Sequence, residues 1–453
     1  MDNRNAVDTN WPTGFMVVQG NQLETLRDVM VGWFKRYPLG PLEQEQLLVQ
    51  SNGIAQWLKL ALAQAPEQGG CGVAASIAAD LPGRFVWRTY RSFLPNLATT
   101  SPYDKGPLTW RLFRILGQLE RLNSPEIVAP LKGFIDAGND APQRRYQLAG
   151  RLAELYDQYQ VYRADWLLAW SAGRDCLLTN DGDEVALESE QRWQPLLWRA
   201  LSDDIEADPN LPTGPMDRHS RAQIHQAFLD TCADQVHPPA DLPRRVVVFG
   251  ISSMPQQTLQ VFQAIARYTQ VLLFTMNPCQ YFWGDLIEGG AWLKREYKRA
   301  QRRPERSQIP LLSSEQLHQY GQSLLAAWGK QGRDFLHLLD EQDQPDSYRQ
   351  CFADQKIDLF QSPGDQTLLQ QLQQDILELR PLHEAKQLAR TIDVEADHSL
   401  RFMEAHSPQR EIEILHDQLL EAFQSANAKG ESLEPRDILV MVPDINRYTR
   451  HIE

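Results

Sequence analysis

The stretch EQLLVQSNGIAQWLKLALAQ (residues 45–64) decides the fold. Leu47, Leu48 and Val49 make a short apolar run of the kind that a fully buried strand needs. Gln50, Ser51, Asn52 and Gly53 interrupt it with turn-forming residues, and from near Ile54 the apolar positions return at helical spacing. The segment before it repeats the pattern. In FMVVQGNQLETLRDVMVGWFKRY (15–37), Phe15 to Gln19 form a strand and a polar turn follows; Leu23, Leu26, Val29, Met30 and Trp33 then share one helical face. Two strand–turn–helix units in succession predict an α/β layer with a parallel sheet.

Farther along, the texture changes. From about 84 to 236 helical periodicity dominates, as in YQLAGRLAELYDQYQVYRADWLLAW (146–170), where Leu148, Leu152, Leu155 and Tyr159 lie on one face. Strands return in RRVVVFGISSMP (244–255), with a buried run Val246 to Phe249, and in QVLLFTMNP (270–278). A polar stretch follows over about 300–365. SLRFMEAHSPQREIEILHDQLLEAF (399–423) then reads as strand, turn and helix, and RDILVMVPDINRYTRHIE (436–453) as another strand opening a helix. The α/β pattern that begins near 398 stops in mid-element, so the chain reads as a fragment.

Composition narrows the function. The net charge of −14 argues against a simple basic DNA-coating protein, which neutralises phosphates with its own cations. Binding in a locally basic channel remains open. No apolar run approaches the ~20 residues that span a bilayer, and the first residues carry no secretory h-region. Five scattered cysteines with no CxxC pair suggest reduced thiols, a cytoplasmic setting and no structural zinc.

Nucleotide and nuclease motifs are missing where they would stand. A P-loop needs GxxxxGK[ST]; the first strand–turn–helix reads VVQGNQLETL (17–26), without the lysine. The strand Val246 to Phe249 runs into GISSMP, with no carboxylate to hold Mg²⁺. In the QSNGIAQWLK turn (50–59), amides sit where open α/β sheets bind ligands and could bond base edges or phosphates; equally, Ser51 or Asn52 could cap the helix. LKREYKRAQRRPER (293–306) groups Lys294, Arg295, Lys298, Arg299, Arg302, Arg303 and Arg306 around Tyr297, with Trp292 just before. This pattern suits phosphate contact with base stacking, or a solvated helix. Trp283 and Trp292 could stack bases or pack a core. Arg410 could face a phosphate or pair with Glu411 or Glu413.

Taken in order, the strings LLVQSNGIAQWL, AADLPGRFVW, YDQYQVYRADWL, FGISSMP, FTMNPCQYFWGDL, LLAAWGKQGRDFLHLL, QQDILEL, AHSPQREIEILHDQLL and RDILVMVPDI resemble the RecC subunit family of the bacterial RecBCD enzyme, exodeoxyribonuclease V. The resemblance runs from about residue 14 to the end. It implies a superfamily 1 helicase-like fold: a RecA-like parallel-sheet domain with a large helical insertion, and the start of a second RecA-like domain. The implied division is a tail (1–13), the first part of domain 1 (14–83), a helical insertion (84–240), the rest of domain 1 (241–395) and a truncated second domain (396–453). It further implies a non-catalytic subunit bound to RecB-like and RecD-like partners. Such a subunit handles double- and single-stranded DNA and scans for the Chi hotspot, while the partners use ATP and Mg²⁺ and this chain needs no cofactor. Mapped onto this sequence, the scanning residues are Gln50, Asn52, Gln56, Leu81, Trp87, Glu154, Leu155, Asp157, Arg163 and Arg221. Asn52 and Glu154 depart from the commonest family residue. An ATP-driven helicase with divergent motifs and a purely protein-binding scaffold stand as the alternatives.

Overall fold

The computed structural model describes residues 13–452 apart from 123, 138–139, 180–181, 215, 285–321, 343–358, 389, 391 and 394–395. Five strands form one sheet: β1 (Gly14–Gly20), β2 (Glu45–Leu48), β3 (Ile77–Asp80), β6 (Arg245–Phe249) and β7 (Gln270–Met276). Their spatial order is β1-β7-β6-β2-β3, and every neighbouring pair is parallel. Parallel strands are covered on both faces, which is why β6 is buried along its whole length and β7 in all but its last residue.

The period-2 alternation of side chains divides the sheet between two cores. Met16, Val18, Leu47, Val49, Val247, Phe249, Leu272 and Phe274 pack beneath α1 (Leu23–Arg36) and α2 (Asn52–Ala63). Phe15, Leu48, Val246, Val248, Val271 and Leu273 pack on the other face. There they meet α3 (Pro82–Phe93), α9 (Arg221–Asp234) and α10 (Gln256–Ala266). Each fully buried large side chain contributes about 1.5–3 kcal/mol.

A separate core lies in the helices between β3 and β6. It is built from α4 (Lys105–Leu116), α5 (Pro125–Asp136), α6 (Ala141–Tyr162), α7 (Ala164–Ser171) and α8 (Trp193–Glu206). A small antiparallel hairpin, β4 (Cys176–Leu178) with β5 (Glu184–Ala186), interrupts the run. The stretch read as helical thus divides in its packing: α3 and α9 belong to the sheet's core, while residues 103–205 supply the helical one. After β7, α11 (Ser323–Trp328) and α12 (Lys330–Gln342) pack near Cys279 and Trp283. Helix α13 spans Leu368–Leu377.

A second compact unit comprises residues 363–374 and 387–453. Its long helix α14 (Pro408–Lys429) opens with the Ser407 hydroxyl accepting from the Arg410 backbone N–H at 3.2 Å and closes at Gly430 in the left-handed region. The two strands expected on either side of this helix do not form. Residues 401–405 and 438–442 run without ladder partners, leaving Phe402 94% and Leu439 82% exposed. A strand is defined by its neighbour, and among the described residues of this unit none pairs with either segment. Among the described residues no helix is long and apolar enough to cross a membrane.

Candidate nucleic-acid interface

The chain leaves β2 toward β3 and leaves β6 toward β7, on opposite sides of the adjacent pair β2–β6. The topological switch point therefore falls between the carboxyl ends of these two strands, where open α/β sheets leave a crevice. One rim is Gln50, Ser51 and Asn52. The other starts at Gly250, which turns with φ +69° and donates its N–H to Phe274 O at 2.9 Å. Ser51 is the helix cap, its hydroxyl accepting from Ile54 N at 3.3 Å. That frees Asn52 from capping and leaves Gln50, Asn52 and Gln56 exposed along the start of α2.

Strand β3 lies beside β2, with Leu48 opposite Asp80, so Leu81 follows at the same edge. Leu81 is the half-exposed N-cap of α3, and Trp87 stands further along that helix. Trp87 donates Nε1–H to Thr99 O at 3.1 Å and meets the Tyr90 ring edge-on at 6.1 Å. The Tyr90 hydroxyl lies 2.8 Å from His225 Nδ1, and His225 Nε2 lies 2.8 Å from Gln260 Oε1. Burial pushes the His225 pKa down, favouring the neutral ring, and raises that of Tyr90.

Helix α9 carries this contact chain to the remaining candidates. Its first residue, Arg221, pairs with Asp104 at 2.8 Å and Asp157 at 3.1 Å, while its N–H donates to Gln160 Oε1 at 3.3 Å. Glu154 shares the α6 face with Asp157, one turn away, and stands 3.7 Å from both Lys105 and Arg151. Leu155 instead packs against the helical core. Arg163, at the α6–α7 junction, holds Asp165 through two hydrogen bonds at 3.0 and 2.7 Å. It also bonds Leu178 O and lies 4.0 Å over the Trp166 ring. The candidates thus form two groups, one at the sheet edge and one on α6 and α9. Tyr90 and His225 connect them.

Arg163 borders a cleft of about 820 Å³ that sequence reading did not single out. Its walls include His225, Gln226, Gln256, Gln257 and Gln260. The signal was present in QQTLQ (256–260), an amide-rich helix start at the carboxyl edge of β6.

The turn after β1 is occupied by the chain itself. Asn21 donates Nδ2–H to Gln361 O at 2.7 Å and accepts from Gln361 N at 2.9 Å, and Gln361 also donates to Thr25 at 2.9 Å. Leu359 O lies where it would come within 3.0 Å of a Cβ on Gly20. Trp283 is a core residue, buried and donating to Asn277 Oδ1 at 2.8 Å. Arg410 pairs with Glu413 at 3.0 Å. The basic run Lys294, Arg295, Lys298, Arg299, Arg302, Arg303 and Arg306, with Trp292 and Tyr297, lies outside the described residues. Among the described residues no three His, Cys, Asp or Glu side chains gather as a metal site.

The family model "RecC, N-terminal domain" matches residues 15–379. The "RecBCD enzyme subunit RecC" of Haemophilus influenzae is 35% identical, covering 97% of this chain and 39% of that protein. Its namesake in Escherichia coli K12 is 34% identical over 96% of this chain and 37% of that protein. The one in Mycolicibacterium smegmatis is 28% identical over 90% and 31%. The chain therefore spans less than two fifths of the length of these relatives.

Proposed function

The chain belongs to the RecC family, and on that premise we propose that it serves as the non-hydrolysing, DNA-handling subunit of a helicase–nuclease complex for double-strand-break repair by recombination. It partners RecB-like and RecD-like subunits in the cytoplasm. They hydrolyse ATP and cut DNA, while this chain guides unwound strands and reads the Chi hotspot. Its sheet unit is the first of two RecA-like domains, with a helical insertion, and the unit after it is the start of the second.

The observation that carries the reading is the sheet edge. The turn after β1, where a motor of this fold binds phosphate, is filled by residues 359–361, while exposed amides crown β2 at the switch point. Amides can bond base edges in pairs, and Trp87 offers a stacking face. Carboxylates at 154 and 157 accept from base amino groups, and Arg221 and Arg163 offer planar forks. Arg221 and Arg163 are already ion-paired, so a strand must compete with Asp157 and Asp165 for them. That competition favours reading over tight holding, which suits a protein of net charge −14.

The test is reconstitution of the full-length protein with its RecB- and RecD-type partners, followed by mapping of cleavage on DNA with and without Chi. Gln50→Ala and Asp157→Ala are expected to change the Chi response while assembly and unwinding persist. A normal Chi response from both variants refutes the site assignment. ATP hydrolysis by the isolated chain on single-stranded DNA would favour the divergent-helicase reading instead. Crosslinks from a bound strand to Trp87 or Arg163 would eliminate a pure scaffold.

A further inference from the structure

Helices α4 and α6 meet along Leu108, Leu112 and Leu116 on one side and Ala149, Leu152 and Ala153 on the other. Away from that seam they raise three aromatic rings. Trp110 is 63% exposed and Tyr146 49%, with ring centroids 5.5 Å apart. Phe113 closes the triangle at 6.1 Å from Trp110 and 6.3 Å from Tyr146. The Arg145 guanidinium lies 4.0 Å over the Phe113 ring. Its Nε is shut off from solvent yet has no hydrogen-bond partner. A pocket of about 310 Å³ opens beside it, lined by Leu116, Gly117, Ile135 and Pro142 among others. A Cβ at Gly117 would come within 2.5 Å of Arg145 Nη1, so glycine makes room for the fork.

We propose that Trp110, Phe113, Tyr146 and Arg145 form a docking surface for a partner-protein segment, which lays an apolar side chain on the rings and sets a carboxylate against Arg145. Exposed aromatics gathered with an arginine have the composition of interface hot spots. The Phe113 ring fixes the position of the planar fork, so little side-chain freedom is lost on binding. Charge selects the occupant. Glu120 and Asp136 line the same pocket, and Lys132 is committed to Glu120 at 3.5 Å. With Lys132 and Arg145 against Glu120 and Asp136 the lining is balanced in charge, so it can seat one carboxylate on the Arg145 fork but offers a polyanionic strand no net positive field. The proposal rests on the reading of this chain as a subunit of a multi-protein assembly.

The experiment compares the full-length protein with its Trp110→Ala and Arg145→Glu variants in assembly with the RecB- and RecD-type subunits, by dissociation constant. Trp110→Ala removes a mostly exposed ring, so its melting curve should match wild type. Its association should weaken about 10-fold or more, and Arg145→Glu should weaken it at least as much. Wild-type affinity in both variants overturns the proposal, as does loss of single-strand affinity with assembly intact. Solvent protection of Trp110 in the full-length protein before partners are added also overturns it. Failure of the wild-type protein to assemble refutes the subunit reading itself, whereas unchanged variants in an assembling system refute this surface alone.

Discussion

Arg245 is fully buried at the first position of β6, and replacing it with methionine makes the sharpest test of how this sheet is held. The guanidinium donates Nε–H to Gln270 Oε1 at 2.8 Å and Nη1–H to Glu45 Oε1 at 2.7 Å, and it bonds Tyr37 O. Phe34 lies beneath it at 5.1 Å. Glu45 is itself only 13% exposed, and its second oxygen has no partner. Burial pushes its pKa up to about 7 even with Arg245 beside it, and pulls that of Arg245 down to about 10. Methionine keeps most of the packing but strands the carboxylate, a loss of about 3–5 kcal/mol while Glu45 is ionised. The sign with pH follows. A native pKa above the ordinary 4.5 means that the folded chain holds a proton the unfolded chain has released. This contribution to stability is present in full below about 4.5 and is lost as pH rises through 7. Urea unfolding of Arg245→Met should therefore show the large loss at pH 8 and roughly half of it at pH 5.5, where Glu45 is neutral. Adding Glu45→Gln should bring the protein back to within about 1–2 kcal/mol of wild type at both pH values. A loss below about 1 kcal/mol at pH 8, or a double variant no better than the single, would show that the pair is not what closes this end of the sheet.

Smaller perturbations separate structural from functional roles at the sheet edge. Ser51→Ala should cost about 1 kcal/mol in urea unfolding through the lost cap, whereas Gln50→Ala should stay within about 0.5 kcal/mol. Trp87→Ala should cost about 2 kcal/mol, since Trp87 is half-buried and bonds Thr99 O, and Trp87→Phe about half of that. Gly250→Ala places a Cβ at φ +69° and should lose about 1–2 kcal/mol in thermal unfolding. Asn21→Ala removes two hydrogen bonds to Gln361, so the 361 amide should exchange with deuterium about 10-fold faster or more.

The sheet was legible where burial on both faces leaves no polar residue to interrupt the pattern. VVVF and VLLF are continuous apolar runs, and the structure places both as inner strands. Strand β3 was not legible, because Ile77-Ala78-Ala79-Asp80 has no strong strand former beyond its first residue and owes its conformation to pairing with β2. The opposite error arose near the end. LRFM and ILVMV have every local mark of strands, yet pairing is a property of a neighbour, and among the described residues none pairs with them. Arg245 could not be recognised as a core residue, since its partners Tyr37, Glu45 and Gln270 are scattered through the chain. At the candidate interface the turn and helix cap at residues 50–53 were legible, because Gln-Ser-Asn-Gly after an apolar run is a local signal. What the sequence hid is how far the charged candidates are already satisfied, Arg221 by two aspartates and Arg163 by Asp165 and the Trp166 ring.

Residues 359–361 hold the start of α1 much as a bound anion would, with Asn21 and Thr25 as their contacts. A diffusible ligand arrives, reacts and leaves, and a motor converts that coming and going into movement of one domain against another. Here the occupant is part of the same chain. It cannot diffuse away, and to vacate this corner Gln361 must break its hydrogen bonds with Asn21 and Thr25. Its contacts fold with the chain, so the shape of this turn is set by the same cooperative transition that forms the sheet.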